Sequence, residues 1–262
     1  MRYAGDDGFA RSVQLHADMS VAPFIDAPLR PAPARAAPAR SAPPSGAAAR
    51  AIDDDATRSL NVAVAVMGIV LTAPLMLMIA IAVRLTSRGP VIYRQVRVGA
   101  DRRGGRPAPE GIRRSSDAGG RPFTMYKFRT MRCDWGTAQV WARADDDRVT
   151  LVGRVLRRYR LDELPQLFNV LAGDMNVVGP RPEQPELFAQ LRSAIDRYPS
   201  RQGVRPGITG LAQISQAYDR SVDDVRRKLD YDLEYIGRRS PVEDLRIMAR
   251  TLPVMLGKRG AL

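Results

Sequence analysis

Two adjacent carboxylates, Asp162 and Glu163, sit in a stretch crowded with arginines, RRYRLDELPQLFNVLAGDMNVVGPRP, from Arg157 to Pro182. Arg157 and Arg158 lie just upstream of the pair, and Arg181 is clamped between Pro180 and Pro182. A guanidinium makes planar, two-point contacts with phosphate oxygens. Flanking prolines fix the backbone that aims it. Carboxylates among arginines therefore suit phosphate chemistry. Neighbouring acids at a helix start point in different directions, so one can face a cleft while the other braces the structure. Spare N–H groups at a helix N-terminus favour an ionised Asp162 and a phosphate beside it. A purely structural reading stands next to this one, with Asp162 as an N-cap and Glu163 as a solvated first-turn acid.

What the chain lacks narrows the chemistry further. His16 is the only histidine and Cys133 the only cysteine. A serine–histidine or cysteine–histidine apparatus is excluded, and so are an internal disulfide and a thiolate zinc cluster. Nucleophilic or acid–base work falls to carboxylates, lysine or tyrosine.

The elements that must position the acidic pair begin with an apolar run. Leu60 to Val83 holds 24 residues with only Asn61 and Thr72 polar. At about 1.5 Å rise per residue this is long enough to cross a bilayer. Pro74, preceded by Ala73, lies near its middle, where a proline removes a hydrogen bond and crowds the preceding turn. Two topologies follow: a kinked span, or a re-entrant helix whose ends leave by the same face. Residues 84–132 then carry thirteen basic against three acidic residues, which puts this side in the cytoplasm and favours contact with anionic headgroups. The chain carries a formal net charge of +13. It shows no nucleic-acid motif and no interleaving of aromatic with basic residues.

The fold class expected is α+β and mostly helical, in three parts. Residues 1–58, rich in Pro, Ala and Arg, form a disordered tail. Residues 59–84 form the re-entrant or spanning membrane helix, and 85–262 a compact helical catalytic domain in the cytoplasm. Val91–Val98 and Phe123–Thr130 alternate like strands and are expected to pair as a hairpin. The Gly-, Pro- and Arg-rich residues 100–121 between them read as a flexible insertion. Helices are expected at Arg148–Arg160, from Asp162 to a stop at Gly173, and at Gln184–Asp196, Asp223–Ile236 and Val242–Leu256. Leu164, Leu167, Phe168 and Leu171 form a core stripe at helical spacing. The loop VRPGITGLAQ, Val204 to Gln213, has the composition of a backbone nest for a ligand.

Four blocks in this order, GPVIYRQVRVG, FTMYKFRTM, LDELPQLFNVLAGDMNVVGPRP and VRPGITGLAQ, resemble the bacterial sugar transferases, the monotopic phosphoglycosyl transferases. The likeness runs from about Leu60 to Leu256 and is nearest to exopolysaccharide-type members. It implies transfer of a sugar-1-phosphate from a UDP-sugar to a polyprenyl phosphate at the inner membrane of a bacterium, with release of UMP and a requirement for Mg²⁺. It implies Asp162 as nucleophile, with a phosphosugar intermediate, and as the residue nearest the metal; Glu163 helps hold the site. Arg157, Arg181, Pro180 and Pro182 match positions near the phosphates and nucleotide, and Lys127 and Asp232 match other polar positions of the family. A re-entrant helix broken at Ala73-Pro74 is implied as well. Ala73 stands where the family often has Ser, and Ala212 where it usually has Trp. The contrasting reading is a non-enzymatic basic membrane scaffold in which the acidic pair is only structural.

Overall fold

The computed structural model describes residues 47–101, 119–132, 146–216 and 221–256. The insertion at 100–121, except its ends, and Cys133 and His16 fall outside the described residues. The first helix, α1, runs from Ala47 to Thr86. It begins inside the segment read as tail, because AAARAIDDDA is rich in alanine, the strongest helix former. The expected break at Ala73-Pro74 is absent: α1 continues through Pro74 as one helix. A single proline removes one N–H donor, and the turns on either side keep theirs. The Thr72 hydroxyl bonds back to the Gly68 carbonyl at 2.7 Å.

One face of α1 packs on the rest of the chain. Thr57, Asn61, Ala65, Ile79 and Val83 are buried on it. The opposite face leaves Val70, Leu71, Leu77 and Met78 more than 60% exposed. Such a face belongs in an apolar medium. Within Asp55–Thr86 the most apolar 18 residues have a mean hydropathy of 2.5, and this is the one helix among the described residues long and apolar enough to cross a membrane.

Both ends of the apolar stretch are clasped to the globular part. Arg58 donates to the Val170 and Leu171 carbonyls at 2.6 and 3.0 Å. Asn61 accepts from the Val177 backbone N–H and donates to the Thr57 carbonyl. At the far end Arg129 donates to the carbonyls of Val83, Ser87 and Arg88. Val83 lies in the last turn of α1 and Ser87 and Arg88 just beyond its end, where the helix dipole suits a cation.

The hairpin forms as expected. Strands β1 (Ile92–Val98) and β2 (Pro122–Phe128) pair antiparallel, with Gln95 opposite Met125. Phe123 and Met125 join Ala65, Leu167, Val170 and Met175 in one core cluster beneath α1. Phe128 joins Ile79, Val83 and Leu156 in another. Helix α2 (Leu151–Arg158) starts at Thr150, whose hydroxyl accepts from the Gly153 N–H. A 3₁₀ turn over Leu161–Glu163 follows, and then α3 (Gln166–Ala172), ended by Gly173 at φ 84°. Of the predicted α3 stripe, Leu167 is buried and Leu164 partly so, but Phe168 and Leu171 are exposed. Helix α3 packs against α1 through Leu167, which meets Gly68.

A second small sheet pairs β3 (Asn176–Val178) with β4 (Gly207–Thr209) in parallel. Helix α4 (Pro185–Ala194), a 3₁₀ segment at Tyr198–Gly203, α5 (Leu211–Ser215), α6 (Val222–Arg238) and α7 (Pro241–Leu256) complete the described chain. Helix α7 buries Ile247 but exposes Val242, Leu245 and Leu252.

Candidate active site

Asp162 and Glu163 both fall in the 3₁₀ turn, and the N-cap of α3 is Pro165. Asp162 is therefore not a cap. The residue before the turn, Arg160, is left-handed at φ 53°, a region that disfavours side chains other than Gly or Asn. At this kink the chain leaves α2, and the turn that follows packs against β2.

The two carboxylates have different surroundings. Glu163 accepts from Lys127 on β2 at 2.9 Å and from Arg181 at 2.8 Å, with Arg160 at 3.8 Å. Burial opposes its ionisation, but Arg181 and Lys127 outweigh that and hold the carboxyl well below the usual range. Arg181 in turn is pushed up, chiefly by Glu163. Burial lowers the Lys127 ammonium despite the attraction of Glu163. Asp162 is 8% exposed, and among the described residues no side chain bonds to its carboxylate. Burial raises its pKa, and Lys127, Arg181 and Arg157 pull the other way. Arg157 is held by its Nε donating to the Thr130 hydroxyl at 2.9 Å. The turn thus presents one fully engaged carboxylate and one unengaged carboxylate in a field of cations.

Arg181 is fixed from behind. Arg201 donates to the Arg181 carbonyl at 3.0 Å, and Arg97 to the Pro182 carbonyl at 3.0 Å. Arg201 is buried, pairs with Asp232 at 2.7 Å and Glu183 at 3.3 Å, and donates to the Tyr198 hydroxyl at 2.6 Å. Lys228 adds a 2.9 Å contact to Glu183. Burial opposes ionisation of Glu183, yet Lys228 and Arg201 bring its pKa down to about 2.

Asp232 is thus not brought to the acidic pair. It is 2% exposed and belongs to the network that holds the Pro180-Arg181-Pro182 turn. The other sequence-predicted residues, Asp162, Glu163, Lys127, Arg157 and Arg181, do converge. Arg160, Arg201, Glu183 and Arg97 went unnoticed in the sequence. Arg97, Arg160 and Glu183 lie within or next to the motifs quoted above, whereas Arg201 carries no local signal.

The loop Val204–Gln213 is tied to the Pro180-Arg181-Pro182 turn by backbone hydrogen bonds. The Gly207 N–H donates to the Pro180 carbonyl at 2.9 Å, and Gly179 donates to Thr209 at 2.9 Å. A Cβ on Gly207 would lie 2.1 Å from the Gly179 nitrogen. The loop's glycine thus permits close backbone approach that props the Arg181 turn. Ala212 is buried in α5.

For a divalent metal, no group of three or more acidic, His or Cys side chains gathers among the described residues. Magnesium is commonly held by one or two carboxylates together with substrate phosphates. The single unengaged carboxylate of Asp162 fits an ion that arrives on a diphosphate, and does not fit a resident cage.

The profile of the family described as Bacterial sugar transferase matches residues 52–258. A UDP-glucose:undecaprenyl-phosphate glucose-1-phosphate transferase of Caulobacter vibrioides is 39% identical over 81% of this chain and 74% of its own. A UDP-N-acetylgalactosamine-undecaprenyl-phosphate N-acetylgalactosaminephosphotransferase of Aeromonas hydrophila is 41% identical over 78% of this chain, but the match spans only 44% of that protein. An exopolysaccharide production protein of Rhizobium leguminosarum is 34% identical over 74% of this chain and 92% of its own. The apolar helix and these relatives agree on association with a membrane. With the profile covering well over half of its length, the chain belongs to the bacterial sugar transferase family.

Proposed function

We propose that this protein transfers a sugar-1-phosphate from a UDP-sugar to undecaprenyl phosphate, as an initiating step of exopolysaccharide or other glycan synthesis. The observation that carries the reading is the division of labour in the acidic pair. Glu163 is consumed by Lys127 and Arg181, whereas among the described residues no side chain bonds to the Asp162 carboxylate, which lies in the field of Lys127, Arg181 and Arg157. An Asp162 oxygen attacks the β-phosphorus of the donor, the bond from that phosphorus to the bridging oxygen breaks, and UMP leaves with the electron pair. An oxygen of the acceptor phosphate then attacks the same phosphorus, and the Asp162 carboxylate departs. Arg181 and Arg157 stabilise charge that builds on the departing nucleotide. Lys127 keeps Glu163 ionised and in place. Asp162, together with the donor's diphosphate, would hold Mg²⁺, which would neutralise part of the donor's charge.

Membrane attachment supports the reading. A nucleotide sugar is confined to water and a polyprenyl tail to the bilayer, so the carboxylate must lie at their boundary. The arginine clasps at Arg58 and Arg129 hold both ends of the apolar stretch on one globular unit, which favours a helix that does not cross the bilayer and has both ends cytoplasmic.

The deciding experiment incubates the purified protein with Mg²⁺, undecaprenyl phosphate and a panel of UDP-sugars, and measures UMP. At least one sugar releases UMP, labelled donor traps a phosphosugar on Asp162, and Asp162→Asn abolishes both. Undiminished release by that variant excludes the nucleophile and returns the acidic pair to a structural role.

A further inference from the structure

A narrow cleft of about 120 Å³ opens beside the acidic turn. Its apolar lining comes from Leu164, Leu167, Ile208, Ile214 and Val254. Arg160 and Glu163 line it too. Pockets that engulf drug-sized molecules run to roughly 300–1,000 Å³, so a nucleotide sugar does not fit. The neutral polar residues of the lining offer a ligand little. Thr209 and Thr251 bond to each other at 2.9 Å, and Gln213 donates to the Ile208 carbonyl at 3.1 Å. What remains is an apolar slot with one cation and the buried end of Glu163.

The location is as informative as the lining. Leu167 meets α1 near Gly68, and Leu164 packs with the cluster that includes Ile79 and Val83. Val254 lies on α7, which also packs on α1. The turns next to the slot carry the exposed Phe168 and Leu252. The slot therefore joins the acidic pair to the apolar side of the molecule. Arg160 makes the longest of the three cation contacts to Glu163, 3.8 Å against 2.8 and 2.9 Å. Its left-handed backbone is the strained link that puts the guanidinium there.

We infer that this slot takes the phosphate-proximal isoprene units of the lipid acceptor, with Arg160 meeting the acceptor phosphate. The inference rests on the transferase reading above and adds the place where the acceptor enters. A phosphate flanked by a short apolar chain matches one cation beside an apolar slot. A phospholipid acyl chain lacks a phosphate next to its first methylenes.

The test separates the two half-reactions in full-length protein in lipid nanodiscs. Exchange of labelled UMP into the UDP-sugar needs the donor and Asp162 but no acceptor. Ile214→Trp and Val254→Trp each fill the slot from a different helix. Each raises the KM for undecaprenyl phosphate about tenfold, the effect of losing contact with roughly two methylenes, and shifts the exchange rate far less. Arg160→Gly keeps the left-handed backbone at ease, and raises the acceptor KM more than the donor KM. An unchanged acceptor KM in both tryptophan variants, with exchange intact, overturns the inference and leaves the transferase standing. Loss of exchange in both assigns the slot to the donor and overturns it too. Absence of exchange in the parent protein instead removes the covalent mechanism itself.

Discussion

Asp162 and Glu163 share a turn, yet folding treats them in opposite ways. Burial lifts the Asp162 pKa above its ordinary 3.8, so the folded state favours its protonated form. Its contribution to stability is full below that value and is lost as pH rises through the folded pKa. Glu163 is depressed below its ordinary 4.5, so its contribution is present above that value and is lost as pH falls through the folded pKa. At pH 7, Asp162→Asn therefore raises the thermal midpoint while it destroys activity. Glu163→Gln lowers the midpoint, by roughly 3 kcal/mol of stability, the low end for breaking a buried pair because Arg181 is a third open to water. Calorimetry of the two variants checks this, and shifts of the same sign would contradict it. Activity should also fall on acidification sooner than an ordinary aspartate would dictate, because the ionised form of Asp162 is the one that attacks.

Elements bring these residues together, and the clasp on α1 is the clearest case. Arg129→Met removes donors to three carbonyls at the end of α1. At about 1 kcal/mol or more for each such hydrogen bond, trypsin should cut after Arg84 or Arg88 about tenfold faster or more. Equal cleavage would show that the end of the helix is held by packing alone. Little of this clasp was legible beforehand. The hairpin, the stop at Gly173 and the convergence of Lys127, Arg157 and Arg181 could be read from alternation, glycine and the family motifs. The N-cap role of Asp162 could not survive, because a left-handed Arg160 inserts a 3₁₀ turn that no propensity announces. Asp232 looked like a site residue because it is charged within a motif. Its partner, Arg201, lies 31 positions away, and only the fold shows that the pair is buried. Phe168 and Leu171 had core spacing, but periodicity marks an apolar face without saying whether protein or lipid covers it.

For the molecule as a unit, the two clasps bear on which side of the membrane the start of α1 faces. With both ends of the apolar stretch anchored to one domain, a cysteine placed at Ser59 should resist an impermeant thiol reagent applied outside intact cells and react once the cells are opened. Labelling of intact cells would establish a full span instead. The same anchoring bears on any attempt to free the enzyme from lipid. Cutting the chain after Arg88 would uncover Leu167, Val170, Phe128 and Leu156, which are buried in clusters that include residues of α1, and would take away Asn61, the acceptor for the Val177 amide. A water-soluble truncation would therefore aggregate before it could be assayed: the anchor doubles as a wall of the enzyme.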